Sequence, residues 1–124
     1  MSRILLADDE KSFTDVYQEL LETEGFTVEV ANDGQSAYQA ITQGGYDLIL
    51  LDIIMPEMDG VSILKKLQTT PPSISNGPII MLTVLEETDF IKTCLTNGAE
   101  GYINKSSGTP EDIVARIKSL AKNP

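Results

Sequence analysis

The 124-residue sequence contains no histidine, no tryptophan and a single cysteine, Cys94. Without histidine the chain can build no His-ligated metal site, no Ser-His-Asp or Cys-His nucleophile system and no phosphohistidine of its own. One cysteine cannot close an internal disulfide, so a reducing cytoplasm is the default compartment. No signal-like apolar run follows the start, and no apolar stretch approaches the roughly 18 residues of a membrane helix. Basic residues are scarce as well: 9 Lys and Arg stand against 19 Asp and Glu, a formal charge of −10. Nucleic-acid affinity comes largely from neutralising phosphates with Lys and Arg, so direct nucleic-acid binding by this domain is not expected, nor is attachment to a membrane surface. The chemistry left to the chain runs on carboxylates, hydroxyls, lysines and backbone.

What is present describes an ordinary globular protein, with 41% hydrophobic and 23% charged residues. A chain of this length buries roughly two-thirds of its unfolded surface, enough for one core, and residues 1–124 are read as one domain. The acid is unevenly placed. Residues 1–62 carry 13 acidic and 2 basic side chains, whereas residues 63–124 carry 6 and 7.

Hydrophobic spacing orders the elements, with no internal repeat. Ile4-Leu5-Leu6-Ala7 is an apolar run stopped by Asp8-Asp9-Glu10. Phe13, Val16, Tyr17, Leu20 and Leu21 recur at helical spacing and predict one buried helix face, with Gly25 as its C-terminal stop. Phe26, Val28 and Val30 alternate with Thr27 and Glu29, as in a strand with one wet side or at a sheet edge, and Asp33 is placed to cap a helix through Ala37, Ala40 and Ile41. A second continuous run, 48–51, ends in Asp52 and leads through the loop 53–59 to a helix with Val61, Ile63, Leu64 and Leu67. After the turn-rich stretch 71–77 come a strand at 79–82, a helix with Phe90, Ile91, Cys94 and Leu95 on one face, and a short strand at 101–104. The last helix opens on Thr109-Pro110-Glu111-Asp112, with Thr at the N-cap, Pro at the first helical position and acids in the first turn. Cys94 reads as core filler on its helix.

Strands alternating with helices imply a doubly wound α/β sandwich of flavodoxin-like (βα)5 form. Unbroken apolar runs belong to central strands buried on both faces, while the alternating second strand and the short fifth fall at the edges. The expected order is 2-1-3-4-5, which opens a crevice at the carboxyl ends of strands 1 and 3.

Asp8 and Asp9 end strand 1 and Asp52 ends strand 3, so three carboxylates converge in that crevice. Two such charges about 4 Å apart at a partly buried site repel by about 4 kcal/mol. A hard divalent cation compensates an all-oxygen site, and Mg²⁺ accepts one or two carboxylates while keeping positions for water and phosphate oxygens. Thr83, closing strand 4, and Lys105, following strand 5, reach the same edge. A carboxylate nucleophile, a divalent cation, an ammonium and a hydroxyl are the parts needed to place a phosphoryl group on Asp52 and stabilise its charge.

With these residues in place the sequence resembles, over its whole length, the receiver domain of bacterial two-component response regulators, of the chemotaxis-regulator kind. The resemblance rests on Asp8-Asp9, on Leu51-Asp52-Ile53-Ile54-Met55-Pro56-Glu57-Met58-Asp59-Gly60, on Thr83, and on Gly98-Ala99-Glu100-Gly101-Tyr102-Ile103-Asn104-Lys105. It implies a phosphoprotein switch, not an enzyme, that assists its own phosphorylation and dephosphorylation. Asp52 is then the phosphoacceptor. Asp9 and Asp52 hold Mg²⁺ directly, with Asp8 acting directly or through water and the backbone carbonyl of Ile54 as a further ligand, and Lys105 and Thr83 contact phosphoryl oxygens. Thr83 and Tyr102 would report modification to the face of helix 4, strand 5 and helix 5. The implied donor is a sensor histidine kinase or a histidine phosphotransfer protein. The implied receiver of the signal is a downstream protein or a linked output domain, since no effector segment lies within residues 1–124, and there is room for a phosphorylation-dependent dimer.

The family pattern is not matched everywhere. Ser106 follows Lys105 where the family usually has proline, and Val84 follows Thr83 where a small residue is common. Ile54 and Leu85 make the mouth of the site apolar, which is expected to slow attack of water on a phosphoaspartate. The loop 69–77 is longer than the family pattern and reads as neutral decoration. The competing reading is a pseudo-receiver, a protein-interaction module that works without phosphorylation. A flavin carrier is disfavoured because Asp8-Asp9-Glu10 would repel a phosphate, and a haloacid-dehalogenase-type phosphatase because Ile54 stands where its second Asp belongs. An EF-hand loop from Asp8 would need Gly at its sixth position, occupied here by Phe13.

Overall fold

The computed structural model describes residues 2–84 and 89–121. Five strands alternate with five helices: β1 (Arg3–Ala7), α1 (Lys11–Thr23), β2 (Thr27–Ala31), α2 (Gly34–Gln43), β3 (Leu48–Asp52), α3 (Gly60–Thr69), β4 (Ile79–Thr83), α4 (Asp89–Thr96), β5 (Gly101–Asn104) and α5 (Pro110–Ala121). The strands form one parallel sheet in the order β2-β1-β3-β4-β5, as the run lengths predict. No described helix is long and apolar enough to cross a membrane.

Period-2 alternation sorts the sheet's side chains into two cores. Leu5, Ala7, Ile49, Leu51 and Met81 pack with Ala37, Ile41, Ile63, Leu64, Ile91 and Cys94 from α2, α3 and α4. Ile4, Leu6, Leu48, Leu50, Ile80 and Leu82 pack with Tyr17, Leu21, Ile113, Val114 and Ile117 from α1 and α5. Both faces of β1, β3 and β4 are thereby buried, each large aliphatic side chain contributing about 1.5–3 kcal/mol. Burial also pushes the Cys94 thiol up, so it stays a neutral core group.

The helix ends follow their capping chemistry. Asp33 Oδ1 accepts from Ser36 N and Asp59 Oδ1 from Ser62 N, both at 2.8 Å. At α5, Thr109 and Asp112 exchange reciprocal bonds of 3.0 and 3.2 Å, a capping box. Two helix faces are narrower than the spacing predicts. On α1 the buried positions are Thr14, Tyr17 and Leu21, while Val16 is 48% exposed. On α4, Ile91 and Cys94 are buried, while Phe90 and Leu95 lie on the flanks, largely exposed. Each helix presents only one edge to the sheet, so apolar positions beside the contact line stay in solvent.

The long loop before β4 is not free decoration. Asn76 Oδ1 accepts from Tyr46 N at 3.0 Å, and its amide donates to Ile41 O at 3.1 Å. Gly77 N donates to Tyr46 O and Gly45 N to Ser75 O, which ties the loop to the turn between α2 and β3. These bonds satisfy backbone groups at the end of the sheet opposite the acidic crevice.

The loop 53–59 is built tightly. Glu57 has φ 71°, a left-handed conformation that costs a non-glycine residue on the order of 1 kcal/mol. Gly60 N donates to Ile53 O at 2.7 Å and Gly34 N to Pro56 O at 3.3 Å, fastening the loop to α3 and α2. A Cβ on Gly34 would strike the Met58 carbonyl, so only glycine permits this approach.

Candidate phosphoacceptor site

Strand register brings the predicted residues together. Ala7 pairs with Leu51, Asp52 with Leu82, and Thr83 with Asn104. Asp8 therefore emerges beside Asp52, Thr83 beside the following step, and Lys105 just beyond Asn104. Carboxylate oxygens of Asp8, Asp9 and Asp52 lie within 4.8 Å of one another. Asp8 is fully buried, Asp52 nearly so, and Asp9 is exposed. Thr83 is buried at the end of β4, and Tyr102 is half-buried against the α2–α4 core.

The chain shapes this crevice locally. Glu10 N donates to Asp8 Oδ1 at 2.9 Å, closing a turn between β1 and α1, and Asn32 donates to Asp8 O. Ile54 N donates to Asp52 Oδ1 at 3.3 Å. The departure at Ser106 is absorbed by an Asn104 turn: Asn104 Oδ1 accepts from Ser106 N at 2.8 Å. Lys105 N donates to Thr83 O at 2.8 Å, and no described peptide bond is cis, so Lys105-Ser106 is trans.

Lys105 Nζ lies 2.6 Å from Asp8 Oδ2, 2.9 Å from Glu10 Oε1 and 3.7 Å from Asp52 Oδ2. It also sits 4.6 Å from the centroid of Phe13, whose ring stacks on Tyr17. Glu10 and Phe13 are site residues that spacing alone did not assign. Their only signal is proximity to the acidic pair, since a grip on a residue 95 positions away leaves no periodic trace.

Electrostatics mark Asp52 as unusual. Burial, and then the charge of Asp8, push its carboxyl up to about 7, against the opposing pull of Lys105 and the Ile54 N–H. Burial disfavours the Lys105 ammonium, but its close contacts with Asp8 and Glu10 and the Asp52 charge outweigh it and hold its pKa above the usual value. Asp8 Oδ2 is buried and accepts no well-directed hydrogen bond, its contact with Lys105 being ionic. Clustered hard oxygens with an acceptor to spare fit Mg²⁺. Ile54 and Val84 are largely exposed, while Leu85, the other residue of the expected apolar mouth, lies outside the described residues.

A doubly wound sheet with an acidic crevice at its switch point defines a flavodoxin-like α/β protein of the chemotaxis-regulator kind. The chain belongs to the response regulator receiver domain family, whose model matches residues 4–118. It is 40% identical over 123 residues to the transcriptional regulatory protein CpxR of Escherichia coli K12, covering 98% of this chain and 50% of that protein. A CpxR homolog of Haemophilus influenzae is 38% identical over 122 residues, covering 98% and 51%. The chain thus spans about half the length of the curated relatives it matches. Among solved structures, the Francisella response regulator 1452 receiver domain superposes with a TM-score of 0.82 at 30% identity, covering 98% of both chains. A CheY-like receiver domain protein of Methanospirillum hungatei JF-1 gives 0.83 at 30% identity, covering 98% and 94%. Receiver domains of this family are phosphoaccepting signalling domains, not classical enzymes, and bind Mg²⁺ at an acidic pocket.

Proposed function

We propose that residues 1–124 form one receiver module, working in the cytoplasm, in which Asp52 accepts a phosphoryl group from a histidine kinase or phosphotransfer protein. The observation that carries this is the buried Asp52 carboxylate with Asp8, Asp9 and Lys105 gathered round it. In the reaction an Asp52 carboxylate oxygen forms a bond to phosphorus, the N–P bond of phosphohistidine breaks, and the imidazole leaves with a proton from solvent. Asp8, Asp9, Asp52 and the Ile54 carbonyl would hold Mg²⁺, which when bound supplies positive charge against the transferring oxygens. Lys105 and Thr83 bind the phosphoryl oxygens.

The new group adds about −1.5 to −2 charges at the strand ends and draws Thr83 toward it. That frees space beneath the half-buried Tyr102, which turns inward and alters the face of α4, β5 and α5. An output segment of a longer protein, or a separate downstream protein, reads this face. CpxR and its homolog are transcriptional regulators, and the same output is proposed for the protein to which this module belongs. The gathering of Asp8, Asp9, Asp52 and Lys105 in one crevice supports phosphoryl transfer over a phosphorylation-independent module.

Incubation with Mg²⁺ and acetyl phosphate, read by intact mass, tests the proposal. One added phosphoryl group that is absent in Asp52→Ala is expected; no addition to the wild type refutes it.

A further inference from the structure

The nearest resting partners of Lys105 are not the phosphoacceptor, which it meets only as a longer ion pair. An ammonium has three donor hydrogens. Its two nearest oxygens belong to Asp8 and Glu10, at 2.6 and 2.9 Å, while Asp52 stands at 3.7 Å, beyond hydrogen-bonding reach. The two near carboxylates differ in environment: Asp8 is fully buried, whereas the Glu10 side chain is 60% exposed at the rim. Glu10 is the N-cap of α1, yet its side chain makes no capping bond. It turns instead across the crevice to Lys105, and the Phe13 ring closes the third side without adding charge.

We propose that Glu10 is a positioning residue that competes with phosphoryl oxygens for the Lys105 ammonium. The proposal rests on Asp52 being the phosphoacceptor. A phosphoryl group on Asp52 draws the Lys105 ammonium toward it and away from Glu10. The Glu10 carboxylate therefore opposes the phosphorylated state by the strength of one exposed ion pair, a factor of about threefold. Asp8 cannot act in the same graded way, because it is buried and belongs to the proposed metal site. Glu10 thus sets how readily this receiver accepts a phosphoryl group.

The test measures beryllium fluoride, a phosphoryl mimic, binding in saturating Mg²⁺, together with the initial phosphorylation rate from acetyl phosphate. Glu10→Gln is expected to bind the mimic about threefold tighter and to be phosphorylated faster at low donor, with an unchanged melting temperature. The gain is expected to shrink at high salt and to vanish when Glu10→Gln is combined with Lys105→Met. Unchanged or weaker binding in Glu10→Gln overturns the proposal, as does an equal gain in the Lys105→Met background, which would place the effect on the incoming anion. A folded wild type that takes neither the mimic nor a phosphoryl group overturns the phosphoacceptor reading, and the competition with it.

Discussion

Replacing Asp52 by Asn in metal-free protein isolates the free energy stored in the acidic crevice. The Asp52 carboxyl is pushed from its ordinary 3.8 to about 7 by burial and by Asp8. At about 1.4 kcal/mol per pH unit that interval corresponds to an upper limit on the order of 4 kcal/mol, lowered by solvent at the mouth. Because the folded pKa is raised, the folded chain keeps a proton that the unfolded chain has released. This contribution is therefore fully present below about pH 4, declines as pH rises, and is gone above about pH 7. Asp52→Asn has no such dependence and removes the repulsion with Asp8. Urea unfolding of both proteins in chelator, between pH 4.5 and 8, should show the variant gaining on the wild type by about 2–4 kcal/mol across the range. Carboxylates away from Asp52 are common to both proteins, so the difference reports Asp52 together with its interaction with Asp8. At pH 8, Mg²⁺ should stabilise the wild type and have much less effect on the variant. A difference that stays flat with pH refutes the reasoning.

Gly34→Ala forces a Cβ against the Met58 carbonyl and should cost about 1–3 kcal/mol by thermal unfolding, with loss of phosphorylation rate as the loop 53–59 shifts. Asn76→Ala leaves Tyr46 N and Ile41 O without their side-chain partner and should cost about 1–3 kcal/mol, while phosphorylation at the far end of the sheet is unchanged. Ile54→Asn puts a polar group on the apolar rim and should speed loss of the phosphoryl group roughly threefold, measured by intact mass against time. An unchanged decay rate would remove the apolar mouth as a cause of slow hydrolysis.

Much of the architecture was legible because it repeats. Runs without polar interruption at Ile4–Ala7, 48–51 and 79–82 fit strands buried on both faces, and the alternating 27–30 stretch fits a strand with one wet side or at an edge. Strand order then follows from which runs are central and which lie at the edges, and with it the meeting of Asp8, Asp9 and Asp52. The caps at Asp33 and Thr109 were equally readable, since the side chain and its backbone partner lie three residues apart. Val16, Phe90 and Leu95 were misplaced because helical spacing gives the direction of an apolar stripe but not the width of its contact.

Sequence by itself determined the sheet, its order and the chemical content of the crevice, because local periodicity and connectivity constrain those without reference to distant side chains. Only the tertiary structure decided how the crevice is wired: Lys105 gripped by Glu10 and Phe13, the Asn104 turn replacing proline, and Asn76 binding the long loop to the α2–β3 turn. Each of these turns on the reach and rotamer of a single side chain. The Glu10 and Asn76 contacts also cross 95 and 30 positions of chain, a geometry that exists only once the sheet has set the ends of its strands side by side.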